Sequence, residues 1–234
     1  MIRPIDIAKK LNISTSTLRN YETKGRVPTS VRTSKGYRQY TDEHVAYFTC
    51  IQSMEPGFGM EATSEILGFI QRKEMNSALR IVNEVQANLH RDTLLAESNI
   101  QLLETESPSV HDAQDMVWMS IGEVAQETSL PRSTIRHWEK VGLILSSRDP
   151  QNGYRRYNRS QLHKIRLLRT LRPAVYSLDL IGLKQAIAEM DPYDIEHAKR
   201  IAHQSLQFLY KIKREQFRGV YDLYKLCQIL NIIG

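Results

Sequence analysis

Apolar residues recur at alternating spacings of three and four in two stretches of this 234-residue chain. The first runs through Leu79, Val82, Gln86, Leu89, Thr93, Ala96, Ile100 and Leu103. The second runs through Ile195, Ala198, Ala202, Ser205, Leu209, Ile212 and Gln216, and resumes at Leu223, Leu226 and Leu230. Such a seam predicts a long coiled-coil-type helix, one over 75–104 and one over 193–231. Polar and small residues interrupt both seams, so neither is a strong free-standing zipper. Ahead of each long helix the elements are short. Residues 4–11 read as a helix and Asn12-Ile13 as a turn. Ser14 then offers an N-cap oxygen to a second helix, which Gly25 ends. Two β-prone stretches follow, Arg26–Val31 and Tyr37–Tyr40, joined by Thr33-Ser34-Lys35-Gly36. Helical stretches over 41–54 and 60–72 complete the run, with Pro56 breaking them.

The same pattern occurs twice. A shift of 117 residues superimposes the halves without a gap. It lays Ser16-Thr17-Leu18-Arg19-Asn20-Tyr21-Glu22 on Ser133-Thr134-Ile135-Arg136-His137-Trp138-Glu139. Gly25 falls on Gly142, and Gly36-Tyr37-Arg38-Gln39-Tyr40 falls on Gly153-Tyr154-Arg155-Arg156-Tyr157. A period this long indicates a duplicated whole domain, whereas solenoid repeats are shorter. In the second copy Ser120 and Glu123 form a capping box for the first helix, and Pro131 takes the place of the Ser14 cap. The turn between the β-prone stretches runs through Asp149-Pro150-Gln151-Asn152-Gly153. Helices are expected over 158–171 and 178–189, with Pro173 at the place of Pro56. The expected boundaries are 1–74 for copy one and 117–191 for copy two, with a polar, turn-rich linker over 105–116.

Two short helices joined by a tight turn, followed by a β-hairpin, are a helix-turn-helix with a wing, a geometry that delivers the second helix to a DNA major groove. Charge supports a polyanion partner. Residues 1–117 carry 13 Lys/Arg against 15 Asp/Glu, and residues 118–234 carry 19 against 11. The window 148–172 holds Arg148, Arg155, Arg156, Arg159, Lys164, Arg166, Arg169 and Arg172 against Asp149 alone. The equivalent window 31–55 balances Arg32, Lys35 and Arg38 against Asp42, Glu43 and Glu55. Copy two is therefore expected to supply most of the phosphate affinity through counterion release, while copy one adds specificity or binds a different half-site. Mean hydropathy is negative, no apolar run reaches membrane-span length, and the N-terminus lacks a signal-peptide core. A cytoplasmic, nucleoid location is expected. Cys50 and Cys227 lie far apart, so neither a disulfide scaffold nor a zinc site is indicated. No phosphate-binding loop, nucleophile constellation or ligand-spaced His/Cys group is present, which argues against an enzyme and against a cofactor or metal.

Both copies resemble the MerR family of bacterial transcription regulators. The resemblance rests on Thr17-Leu18-Arg19-Asn20-Tyr21-Glu22, Gly25 and Gly36-Tyr37-Arg38-Gln39-Tyr40, repeated 117 residues on, and covers residues 2–72 and 118–189. It implies a mainly α fold: two winged helix-turn-helix domains, each with a short β-hairpin wing and followed by a long helix that pairs antiparallel with a partner. It also implies binding of double-stranded promoter or operator DNA with distortion of that DNA, and RNA polymerase as a possible further partner. Metal-sensing members of the family place cysteines near the end of the long helix. This chain has none between Cys50 and Cys227, which disfavours thiolate metal sensing.

On this basis the candidate DNA-binding residues are Thr15, Ser16, Arg19, Asn20 and Tyr21 in the second helix, with Arg32, Tyr37 and Arg38 in the wing. Copy two offers Arg132, Ser133, Arg136, His137 and Trp138, then Arg148, Tyr154, Arg155, Arg156 and Arg159. Arginine suits a groove-facing helix because its planar fork meets a guanine edge or a phosphate bidentately. Alternatively Arg19 and Arg136 pair with Glu22 and Glu139 and merely stabilise the helix. Tyr21 and Trp138 fit core or phosphate contact equally. In the wing, Tyr37 and Tyr154 are expected against the core, and Arg38 and Arg155 on the sugar-phosphate backbone. Tyr40 and Tyr157 are expected beneath the wing. The aromatic C-terminal helix (Phe208, Tyr210, Phe217, Tyr221, Tyr224) reads as core or interface, or else as a docking surface, with Gly219 permitting a bend.

The long helices have two ways to pair, with each other as an intramolecular pseudo-dimer or with their equivalents in a homodimer. An architectural DNA-binding protein, in chromosome or plasmid segregation or excisionase-like recombination, is the alternative to a regulator.

Overall fold

The structure, a computed structural model, describes residues 1–105, 117–171, 178–191 and 194–233. Pro173, Arg172 and most of the expected linker lie outside the described residues. The first copy comprises α1 (Pro4–Leu11), α2 (Thr15–Thr23), β1 (Val31–Arg32), β2 (Arg38–Gln39), α3 (Asp42–Gln71) and α4 (Met75–Thr105). The second comprises β3 (Met119–Ser120), α5 (Ile121–Thr128), α6 (Arg132–Lys140), β4 (Ser147–Arg148) and β5 (Arg155–Tyr157), followed by α7 (Arg159–Thr170), α8 (Leu178–Glu189) and α9 (Ile195–Ile229). The fold is mainly α, with a small antiparallel hairpin in each copy. No helix among the described residues is long and apolar enough to cross a membrane.

Local chemistry accounts for the element ends. Asn12 and Ser129 take the left-handed conformation that closes α1 and α5. The Ser14 hydroxyl accepts the Thr17 N–H at 3.0 Å, and Ser120 and Glu123 cap α5 reciprocally. The hairpins are shorter than the β-prone stretches, with Val31 opposite Gln39 and Arg148 opposite Arg155. Copy two adds β3 on the other side of β5, and copy one keeps only an isolated bridge, Ile2–Tyr40. The interruption expected at Pro56 falls instead at Gly59, whose positive φ of 77° bends the run while Pro56 stays helical.

The chain divides into two compact units, Met1–Asn88 with Lys211–Gly234, and Leu89–Tyr210. In the first, Leu18, Tyr40, Phe48, Ile51, Met54 and Phe58 form a core with Ile81 and Val82 of α4. The same core takes in Leu223, Leu226 and Cys227 from the end of α9. The α9 backbone meets α3 closely there: a Cβ on Gly57 would stand 2.5 Å from the Gln216 nitrogen, and one on Gly219 3.0 Å from the Met54 Cα. Gly219 thus serves close helix approach, not the expected bend. Gln216, a polar seam position, is buried and donates to the Gly57 carbonyl at 3.0 Å.

In the second unit, Leu89, Ala96, Ile100 and Leu103 of α4 are buried, and Asn99 donates to the Arg166 carbonyl of α7 at 3.2 Å. Tyr210 donates to Glu97 at 2.9 Å. The buried seam hydroxyls of Thr93 and Ser205 bond carbonyls four residues back, which satisfies them within their own helices. One seam member is displaced: Leu79 is exposed and Ala78 takes the buried position. Of the C-terminal aromatics, Phe208 is buried, whereas Phe217, Tyr221 and Tyr224 are exposed, so a core role does not extend to them.

Candidate nucleic-acid interface

Helical periodicity divides the second helix of each copy into an anchored and a free face. In α2 the residues turned inward are Leu18 and Tyr21, which leaves Ser16, Arg19 and Asn20 exposed and Thr15 half-buried. In α6 they are Ile135 and Trp138, which leaves Arg132, Ser133, Arg136 and His137 exposed. Gly25 and Gly142 hold φ of 67° and 78°, conformations that L side chains rarely adopt, and turn the chain toward the wing. Tyr21, with its ring centroid 6.4 Å from that of Phe48, belongs to the core, as does Trp138. Their burial supports the core role over the phosphate contact also considered for them.

The wing arginines are placed differently from the sequence expectation. Arg38 Nε donates to Glu22 Oε2 at 2.6 Å, and Arg155 Nε to Glu139 Oε2 at 2.7 Å. The other carboxylate oxygen of Glu22 accepts the Ser30 N–H and hydroxyl at 2.9 and 2.8 Å, and that of Glu139 accepts the Ser146 hydroxyl at 2.5 Å. Each glutamate therefore ties the end of the second helix to both arms of the wing. Arg19 and Arg136 form no ion pair among the described residues, so the glutamates serve the wing and not the helix. Tyr37 and Tyr154 project into solvent instead of packing on the core. The rings beneath the wing are Tyr40 and Tyr157, both fully buried.

Burial alone would raise the Glu22 carboxyl, but the Ser30 hydrogen bonds and Arg38 outweigh it and hold the group below the ordinary glutamate range. Glu139 is depressed in the same way by Ser146 and Arg155 against its own desolvation. A depressed carboxyl contributes stability that is present above the unfolded-state value and lost as pH falls through the folded one. Glu22→Gln is expected to cost about 2 kcal/mol at neutral pH, the scale of a charge-assisted hydrogen bond lost from a nearly buried site. The difference from wild type should shrink as pH falls below ~4.3. Urea unfolding at stepped pH measures this, and a difference independent of pH would remove the clamp.

Copy two also forms a groove of about 490 Å³ between the start of α5, α6 and the wing. It is lined by Arg132, Arg136, Arg148, Arg155 and Arg156, with Trp118 at one side. The Arg156 guanidinium lies 4.2 Å from the Trp118 ring centroid. Arg148 donates to the Gly153 carbonyl at 3.2 Å across its turn, as Arg32 does to Gly36 in copy one. Arg159 sits half-buried at the first position of α7, outside this lining.

The basic window of copy two shrinks on inspection. Lys164 is buried and donates to the Ala188 carbonyl at 2.8 Å, Arg166 pairs with Glu127, and Arg172 lies outside the described residues. Sequence reasoning missed Trp118 and the wing-clamping role of Glu22 and Glu139. The glutamate–arginine pairs repeat at the 117-residue shift and could have pointed to the clamp; Trp118 has Met1 at its equivalent place and carried no signal.

Comparison with known proteins agrees with this geometry. The model described as MerR family regulatory protein matches residues 3–40 and again 120–157. The chain is 32% identical over 103 residues to the HTH-type transcriptional regulator CueR of Salmonella typhi, covering 39% of this chain and 75% of that protein. It is 41% identical over 61 residues to the HTH-type transcriptional regulator HmrR of Rhizobium leguminosarum bv. viciae, covering 26% and 46%. It is 36% identical over 70 residues to the mercuric resistance operon regulatory protein of Bacillus cereus, covering 30% and 53%. No solved structure matches the chain. With one copy of the domain in each half, the chain belongs to the MerR family of DNA-binding transcription regulators.

Proposed function

We propose that a single chain reads two half-sites of double-stranded operator DNA as an intramolecular pseudo-dimer and distorts the duplex between them. One observation carries the reading. The end of α9, which belongs in sequence to copy two, supplies Leu223, Leu226 and Cys227 to the core around copy one. Each long helix thus starts in the unit of its own copy and ends in the other unit. A core completed by the chain's own α9 supports self-pairing over a partner's helix.

The exposed residues of α2 and α6, led by Arg19, Asn20, Arg136 and His137, are proposed to meet base edges. The wing residues Arg32, Tyr37, Arg148 and Tyr154 are proposed to meet the backbone and fix register. Duplex distortion would add sequence preference at steps no side chain touches.

Mass measurement by light scattering tests the stoichiometry, on the free protein and on a duplex enriched by selection. A mass near 27.1 kDa for the free chain, and one chain per duplex, is the expected result. Two chains per duplex would sink the pseudo-dimer while leaving DNA binding intact.

A further inference from the structure

We infer that the copy-two groove is a clamp for a DNA backbone phosphate, built on the Trp118–Arg156 stack, and that it makes the second unit the anchor of the complex. The inference rests on the DNA-binding reading above and asks which unit holds the duplex.

Five guanidiniums from α6, β4 and β5 converge on one groove. The two acids in its lining are already engaged. Glu123 accepts the Ser120 N–H at 2.7 Å, and Asp149 accepts the Gln151 and Asn152 N–H groups at 2.8 and 3.3 Å. Arg155 is paired with Glu139, but Arg132, Arg136, Arg148 and Arg156 have no ion-pair partner among the described residues. The excess positive charge is therefore open to an anion.

Arg156 is the most prepared of them. Stacking on an indole covers one face of a guanidinium without using its in-plane N–H donors, which can still receive phosphate oxygens. Its Nε is buried, so the terminal Nη groups are the donors that would meet a phosphate. Copy one lacks the device. The 117-residue shift puts Met1 at Trp118, Thr15 at Arg132 and Gln39 at Arg156, while Arg32 holds the hairpin place of Arg148. Arg19, Arg32 and Arg38 persist there, and Arg38 is held by Glu22.

The test is equilibrium binding of the full chain to a duplex of about 30 base pairs of arbitrary sequence, long enough for two half-sites one helical turn apart, across a salt series. Arg156→Gln installs the residue that copy one carries at this place, and an unchanged circular dichroism spectrum is its folding control. It is expected to lose roughly tenfold in affinity near 0.1 M salt and to make the log–log salt slope shallower by about one. Trp118→Ala keeps the guanidinium but removes the stack, and is expected to lose affinity about fivefold with the slope nearly unchanged. Arg32→Gln removes one proposed phosphate contact from the copy-one wing and is expected to lose affinity about threefold, clearly less than Arg156→Gln.

Equal losses for Arg156→Gln and Arg32→Gln, or no loss for Trp118→Ala, would overturn the clamp while the wild type still binds. A wild-type chain that fails to bind duplex DNA would overturn the functional reading itself.

Discussion

A chain cut after Tyr210 is expected to lose the folded first DNA-binding unit while keeping the second. The cut removes Leu223, Leu226 and Cys227, all buried, together with the half-buried Val220 and Leu230 that pack on the same core. A buried aliphatic side chain contributes about 1.5–3 kcal/mol through burial alone. Their joint loss approaches the whole of a domain's typical ~5–15 kcal/mol net stability, before counting the cost of exposing Ile51 and Met54 to water. Limited proteolysis and amide exchange should show cleavage and rapid exchange throughout α1–α3, with protection retained in residues 119–170. A peptide of residues 195–234 added in trans should restore protection in part. Unchanged protection in α3 after the cut would mean that the α9 end is an ornament on an independent domain.

Gly57→Ala is expected to destabilise the same unit by about 3 kcal/mol. The added Cβ would meet the Gln216 nitrogen at 2.5 Å, the Gln216 Cα at 2.8 Å and the Glu215 carbonyl carbon at 2.8 Å. All three are backbone atoms of a helix, so no side chain can swing aside, and α3 and α9 must separate. Overpacking of a filled interior costs ~1–3 kcal/mol, and here separation would also break the buried Gln216–Gly57 hydrogen bond. Gly68→Ala is the control, because its Cβ would find only a flexible Arg72 guanidinium at 3.6 Å. Chemical denaturation monitored by circular dichroism should separate the two variants clearly. Equal stability would show that the helices part without cost.

Much of the candidate interface was legible because its determinants are local. The Ser14 cap, the Ser120–Glu123 box and the positive φ at Gly25 and Gly142 depend on neighbours within a few residues. The inward spacing of Leu18 and Tyr21 likewise decided which side chains α2 leaves free. The partners of Arg38 and Arg155 were not legible. Choosing between Glu22 and a phosphate requires knowing that a hairpin sixteen residues on folds back over the helix end. Lys164 illustrates the same gap: counted with the basic surface in sequence, it lies inside, where desolvation lowers its pKa against the pull of Asp191 and its ammonium finds the Ala188 carbonyl.

The sequence by itself determined the duplication, the paired helix-turn-helix and wing elements, and the two long helices, since periodicity and capping are encoded in short windows. Tertiary structure alone decided where each long helix ends. The α9 seam carries apolar residues from Ile195 to Leu230, and burial is non-directional: it demands a cover but does not name one. Two glycines, Gly57 and Gly219, name it, because only backbones without a Cβ between them can come so close. That contact brings the copy-two helix into the copy-one core, and it joins residues more than 150 positions apart that no local pattern connects.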